Sequence, residues 1–184
     1  MRKEIRKTAK IPENCEVKIF DNLVIIKKDN EEVKVPYKIK NFKPKIENNE
    51  LVLEKKVGNK NDKKLIHSLS SHIVNAFNGI GKKYEYKLQI CSIHFPMNVK
   101  VEKNKLIIKN FFGERKERIL DIKPNVDLKI ENDIITVTSP QKNLAGEQAS
   151  EIEALTRITS RDRRVFQDGI WIIKKSKGRK NGED

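Results

Sequence analysis

The chain has 184 residues, enough for one domain or two small ones, and is 36% apolar and 36% charged. Its 40 Lys and Arg outnumber 26 Asp and Glu, and the self-repulsion of a net +14 is relieved by a polyanionic partner. Nucleic acid is the first such partner, ahead of an anionic membrane surface and other acidic partners. No apolar run approaches the ~20 residues that cross a bilayer. The charged start, Met1 to Lys10, leads into no apolar signal core. An intracellular chain without a membrane partner is therefore expected, with Cys15 and Cys91 as buried, reduced thiols outside any Cys-x-x-Cys pair.

The predicted elements begin with short alternating strands around Val17, Ile19, Val24 and Ile26, joined at Asp21-Asn22. Asparagine at such a junction tolerates the positive φ of a tight hairpin. A further strand at Leu51-Val52-Leu53 precedes a helix whose apolar stripe is Leu65, Ile66, Leu69, Ile73, Ala76, Phe77 and Ile80, with Gly79 and Gly81 as stopping points. The chain then repeats itself at an offset of 82 to 84 residues. Val17-Lys18-Ile19 returns as Val99-Lys100-Val101, and Leu23 to Lys27 as Lys105 to Lys109, with Lys103-Asn104 at the hairpin. Ile46-Glu47-Asn48 returns as Ile130-Glu131-Asn132, followed by Ile134 to Val137. A second helix is marked by Leu144, Ala149, Ile152, Leu155 and Ile158, with Asn143 as its cap. Apolar sheet faces and helix stripes must cover one another. The expected fold is α+β: two tandem duplicated domains, 1–81 and 82–184, each a small, mainly antiparallel sheet packed on one helix.

Catalytic patterns are missing. No phosphate loop, dinucleotide fingerprint or nucleophile elbow occurs. His67 and His72, five residues apart on a helix, face different ways and suit no shared metal. His94, beside Phe95-Pro96-Met97, reads as a turn or strand-end residue. Cys91 and His94, three residues apart on extended chain, fall on opposite faces and make no nucleophile–base pair. No cofactor and no metal are expected.

Basic groups cluster instead. Arg157, Arg161, Arg163 and Arg164 precede the strand around Trp171-Ile172-Ile173, and Lys174, Lys175, Lys177, Arg179 and Lys180 follow it. With Gly169 and Gly178 nearby, these two segments suit a surface that tracks phosphates. If roughly eight of the charges meet phosphates, affinity falls with salt at a log–log slope of about −6 to −7. Tyr84, Tyr86, Phe111, Phe112, Phe166 and Trp171 are candidates for stacking on unpaired bases, although at least one of each neighbouring pair belongs in a core. Phe111 or Phe112, beside Gly113, is the leading one. The residues by themselves give an RNA-binding module, with an RNA-processing enzyme and a free-standing RNA-binding regulator as alternatives. The dense charge and glycines of 174–184 favour disorder without RNA.

The second half also carries specific motifs: Tyr86-Lys87-Leu88, His94-Phe95-Pro96-Met97, Asn110-Phe111-Phe112-Gly113-Glu114, Thr156-Arg157-Ile158 and the long run Arg161 to Ile170. In this order they resemble the L6 family of large-subunit ribosomal proteins, in its archaeal and eukaryotic form, and the resemblance extends over essentially the whole chain. Departures occur at Ala145-Gly146-Glu147-Gln148-Ala149, where the family's second helix begins differently, at Trp171 in place of a tyrosine, and at Phe112 in place of a leucine. The resemblance implies a non-enzymatic constituent of the large subunit in the cytoplasm, from an archaeal source given the motifs and the Lys- and Ile-rich composition. It implies binding to large-subunit rRNA through the second domain, near the sarcin–ricin region and factor-binding site, with the first domain facing the stalk base. Arg157, Arg161, Arg163, Arg164 and the tail cations become the leading RNA contacts. Asn110, Phe112 and Arg115 lie in a turn near RNA or a neighbouring ribosomal protein, and Asp162 and Asp168 orient arginines or close turns. Translation factors lie nearby and are supported indirectly; no homo-oligomer is expected.

Overall fold

The computed structural model describes residues 3–13, 15–28, 31–159, 161–162 and 164–176. Arg163, Lys177, Arg179 and Lys180, and the tail expectation beyond Ser176, lie outside the described residues. The fold is α+β, and the chain divides into two compact units with the break between Lys82 and Lys83.

The first unit holds β1 (Lys3–Lys10), β2 (Glu16–Phe20), β3 (Leu23–Lys28), β4 (Glu31–Pro36), β5 (Lys45–Glu47), β6 (Glu50–Gly58) and α1 (Lys60–Gly81). Its strands form two antiparallel sheets, β1-β6-β5 and the meander β2-β3-β4. Alternation does what period two requires: Val24 and Ile26 on β3 are buried, as are Val33 and Val35 on β4. Ile66, Leu69, Ile73, Ala76 and Phe77 of α1 close over this core. Leu65, expected in the same stripe, stays 46% exposed because it flanks the buried line one residue away from Ile66. Gly79 is also not a stop; it lies buried inside α1, which runs on to Gly81. Asn59 opens that helix with a reciprocal capping box, its Oδ1 accepting from the Asp62 N–H while Asp62 accepts from the Asn59 N–H.

The second unit repeats the plan with β7 (Tyr84–Cys91), β8 (Asn98–Glu102), β9 (Lys105–Lys109), β10 (Arg118–Asp121), β11 (Asp127–Glu131), β12 (Ile134–Ser139), α2 (Lys142–Leu155) and β13 (Gly169–Lys174). The order β11-β12-β7 matches β5-β6-β1, and the meander β8-β9-β10 matches β2-β3-β4. The repeat read from the sequence is thus a repeat of topology, with each unit dividing its strands between two sheets rather than one. Hairpin asparagines Asn22, Asn48, Asn49, Asn104 and Asn132 all take positive φ, from 47° to 66°. The addition is β13, which pairs with the outer side of β7 and turns β7 into an interior strand.

Two expectations for α2 need correction. Asn143 is inside the helix, and Gln141 occupies the cap position without a side-chain hydrogen bond. Ser139 Oγ accepts from the Gln141 N–H, and the Gln141 carbonyl takes the Ala145 N–H, so the first turn is set by its approach from β12. Ile158 lies past the helix end at Leu155, on the segment leading to β13. Cys15 and Cys91 are thiols outside any disulfide, and both are half-buried rather than buried.

Candidate nucleic-acid interface

Three loops of the second unit converge at one end of its four-stranded sheet. Residues 92–97 leave β7, residues 110–117 join β9 to β10, and residues 156–168 run from α2 into β13. Pairing of Gly169 with Cys91 sets the first loop beside the last.

Asp168 fastens them together. The residue is 4% exposed; its Oδ1 accepts from the backbone N–H of Ile93 at 2.7 Å and of His94 at 2.9 Å. Its Oδ2 lies 2.6 Å from His94 Nδ1. Burial pushes the Asp168 carboxyl up, but the hydrogen bonds from His94 and Ile93 outweigh it, leaving the group below its ordinary value. The His94 ring in turn stacks on Phe112 at 5.9 Å and lies against Phe166 at 5.2 Å, and those two phenylalanines touch at 5.8 Å. Above them Arg161 sits 4.9 Å from the Phe166 ring and 5.8 Å from that of Phe112.

The neighbouring loops are held just as specifically. Asn110 adopts a left-handed φ of 58° and its side-chain amide donates to the Pro96 carbonyl at 3.0 Å. Phe112 is left-handed too, at φ 53°, and its ring lies edge-on to the buried Phe111 at 5.5 Å and stacked on His94. Arg118 clamps the far side: it forks onto Glu114 at 2.9 and 2.6 Å, donates to the Leu155 carbonyl, and lies 4.2 Å over Phe111. Asp162 closes a turn, its Oδ1 accepting the Arg164 N–H at 2.9 Å.

Of the predicted cations, Arg157, Arg161 and Arg164 belong to this end and are exposed, as is Arg115 on the 110–117 loop. Arg157, Arg164, Arg115, Lys174 and Lys175 have no acidic partner among the described residues, in contrast to Lys109 with Glu117 at 2.6 Å. Lys174 and Lys175 are not brought to the same place. They lie at the opposite end of β13, a strand that spans roughly 17 Å at ~3.3 Å per residue.

The stacking candidates thin out. Tyr84, Tyr86 and Phe111 are all buried, so neither tyrosine offers a ring for stacking on a base. Phe112 and Phe166 are half-buried under Arg161, and Trp171 donates to the Gln167 carbonyl at 3.1 Å. Asp168 holds His94 rather than an arginine, although it does close a loop as anticipated. Sequence reading missed this pair and missed Arg118; the first joins residues 74 apart, and neither spacing nor periodicity signals it. Cys91 shows no sign of activation, since burial together with Asp133 and Asp168 pushes its thiol up. His67 and His72 are exposed on α1, and no group of three metal-ligating residues occurs among the described residues.

Fold and site define a basic, duplicated α+β protein with an arginine-and-aromatic loop face suited to a polyanion. The ribosomal protein L6 family model matches residues 95–169, which take in the second and third loops and the end of the first. Large ribosomal subunit protein uL6 of Methanobrevibacter smithii is 38% identical over 172 residues, covering 93% of this chain and 96% of that protein. The uL6 protein of Methanococcus vannielii is 34% identical over 172 residues, 94% of each chain, and that of Methanosarcina mazei 34% over 176 residues. The chain belongs to the ribosomal protein L6 family, a family of structural ribosomal proteins of the large subunit rather than of enzymes. These relatives are archaeal, as the motifs suggested.

Proposed function

We propose that this protein is a structural constituent of the large ribosomal subunit in the cytoplasm, binding large-subunit rRNA through its second unit. The observation that carries this reading is the match to archaeal large-subunit proteins over more than nine-tenths of both chains. Residues 1–81 and 82–184 act as separate domains. Arg157, Arg161 and Arg164 contact phosphates at the loop face, with Arg115 and the 110–113 turn flanking them, and Arg163, Lys174, Lys175 and the tail cations add further phosphate contacts. The bound RNA is the region of the sarcin–ricin loop and factor-binding site, so translation factors are supported indirectly. The first domain faces the stalk base and neighbouring ribosomal proteins.

Two measurements test this. On sedimentation of a cell extract, the protein should travel with large subunits; recovery only in the light fractions would reject the reading. A variant carrying Arg157→Gln, Arg164→Gln, Lys174→Gln and Lys175→Gln should bind large-subunit rRNA with a log–log salt slope shallower by about 3, at ~0.7–0.9 per phosphate contact. Because none of the four holds an ion pair among the described residues, its thermal midpoint should stay at the wild-type value.

A further inference from the structure

We infer that His94, held by Asp168, is a positioning residue for RNA binding: it fixes where Arg161 presents its guanidinium. The inference rests on the proposed RNA-binding role of this loop face. Arg161 has no acidic partner among the described residues, and what locates it is the Phe112–Phe166 pair beneath it. Those two rings come from different loops, and His94 touches both. His94 is in turn fixed from below by the carboxylate of Asp168, which also takes its backbone N–H.

A buried carboxylate, an imidazole, two phenyl rings and a guanidinium thus form one stack running outward from the core. Stacking leaves the edge of a guanidinium free, so all five N–H donors of Arg161 remain available to a phosphate or a base edge. An arginine already held in place loses less conformational freedom on binding than one that swings in solvent. Ile93 and Val165, 64% and 62% exposed, lie on the same two loops that Asp168 joins, so the stack also fixes the apolar shoulders of the face.

The two roles of His94 can be separated in the full-length protein. His94→Asn keeps a side-chain donor near the Nδ1 position for Asp168 and removes the ring. His94→Phe keeps the ring and removes the donor. Each is measured for affinity to a transcript of large-subunit rRNA across a salt series, alone and combined with Arg161→Gln, alongside the thermal midpoint. His94→Asn and Arg161→Gln should each weaken binding at fixed salt by roughly tenfold and flatten the salt slope by about one contact's worth. Combining them should cost no more than either alone, because both disable the same guanidinium. His94→Phe should retain more affinity than His94→Asn, because it keeps the ring that bridges Phe112 and Phe166. Wild-type affinity for His94→Asn, losses that multiply in the double variant, or a His94→Phe no better than His94→Asn would each overturn the inference. If instead the four-cation variant described above binds like wild type, it is the RNA-binding reading that fails.

Discussion

The smallest decisive feature is a single carboxylate. Asp168 is nearly inaccessible, yet three N–H groups face it, and this is the condition under which burial does not neutralise an acid. Its folded-state value lies below the ~3.9 it regains in the unfolded chain. Below neutral pH the unfolded state therefore binds the proton first, so this group's stabilisation is fully present above about pH 4 and is lost as pH falls through the folded-state value. Asp168→Asn should be less stable than wild type in urea at pH 6, with the gap narrowing between pH 4.5 and pH 3. A gap constant over that range would mean that the charge contributes nothing. The sequence showed an acid before a glycine and a strand, enough to suggest a closed turn. It could not show His94 as the partner, because that pairing exists only once β13 lies against β7.

Among elements, β13 is the one whose survival needs explanation. It is an edge strand, and its outward N–H groups would otherwise template pairing with another chain. Two side chains at the end of α2 prevent this: Thr156 Oγ1 accepts from the Ile170 N–H at 2.9 Å, and Glu153 Oε1 from the Ile172 N–H at 3.1 Å. The Thr156 contact is buried, so losing it strands a backbone donor without water. Thr156→Val, which keeps the shape and removes the acceptor, should destabilise the protein by about 1–3 kcal/mol in urea unfolding. Thr156→Ser should remain close to wild type, and equal loss in both would point to the methyl contact instead. Strands and the first helix were legible beforehand because period-two and period-3.6 burial are written in Val24, Ile26, Ile66 and Ile73. The start of α2 was not, since Asn143 has the chemistry of a cap while the chain's approach from Ser139 puts Gln141 there.

At the scale of the molecule, net charge says less about location than its size suggests. Residues through Lys82 hold 19 basic and 11 acidic side chains, and those from Lys83 onward hold 21 and 15. Neither unit is the basic one. What differs is distribution: residues 157–180 contain nine Lys and Arg against Asp162 and Asp168 alone, whereas elsewhere bases such as Lys27, Lys105 and Lys123 are answered by Glu32, Asp121 and Glu147. Counterion release depends on cations free to meet phosphates, so a fragment of residues 83–184 should keep most of the salt-dependent affinity for large-subunit rRNA, and residues 1–82 little of it. Each has its own set of buried apolar residues, Ile5 to Phe77 in one and Tyr84 to Ile170 in the other, so each should unfold cooperatively when expressed alone. Equal affinity in both fragments would show that binding follows total charge, and the loop face would lose its special role. Strong binding by the second fragment alone, with the salt slope of the intact chain, is the result that the unpaired cations require.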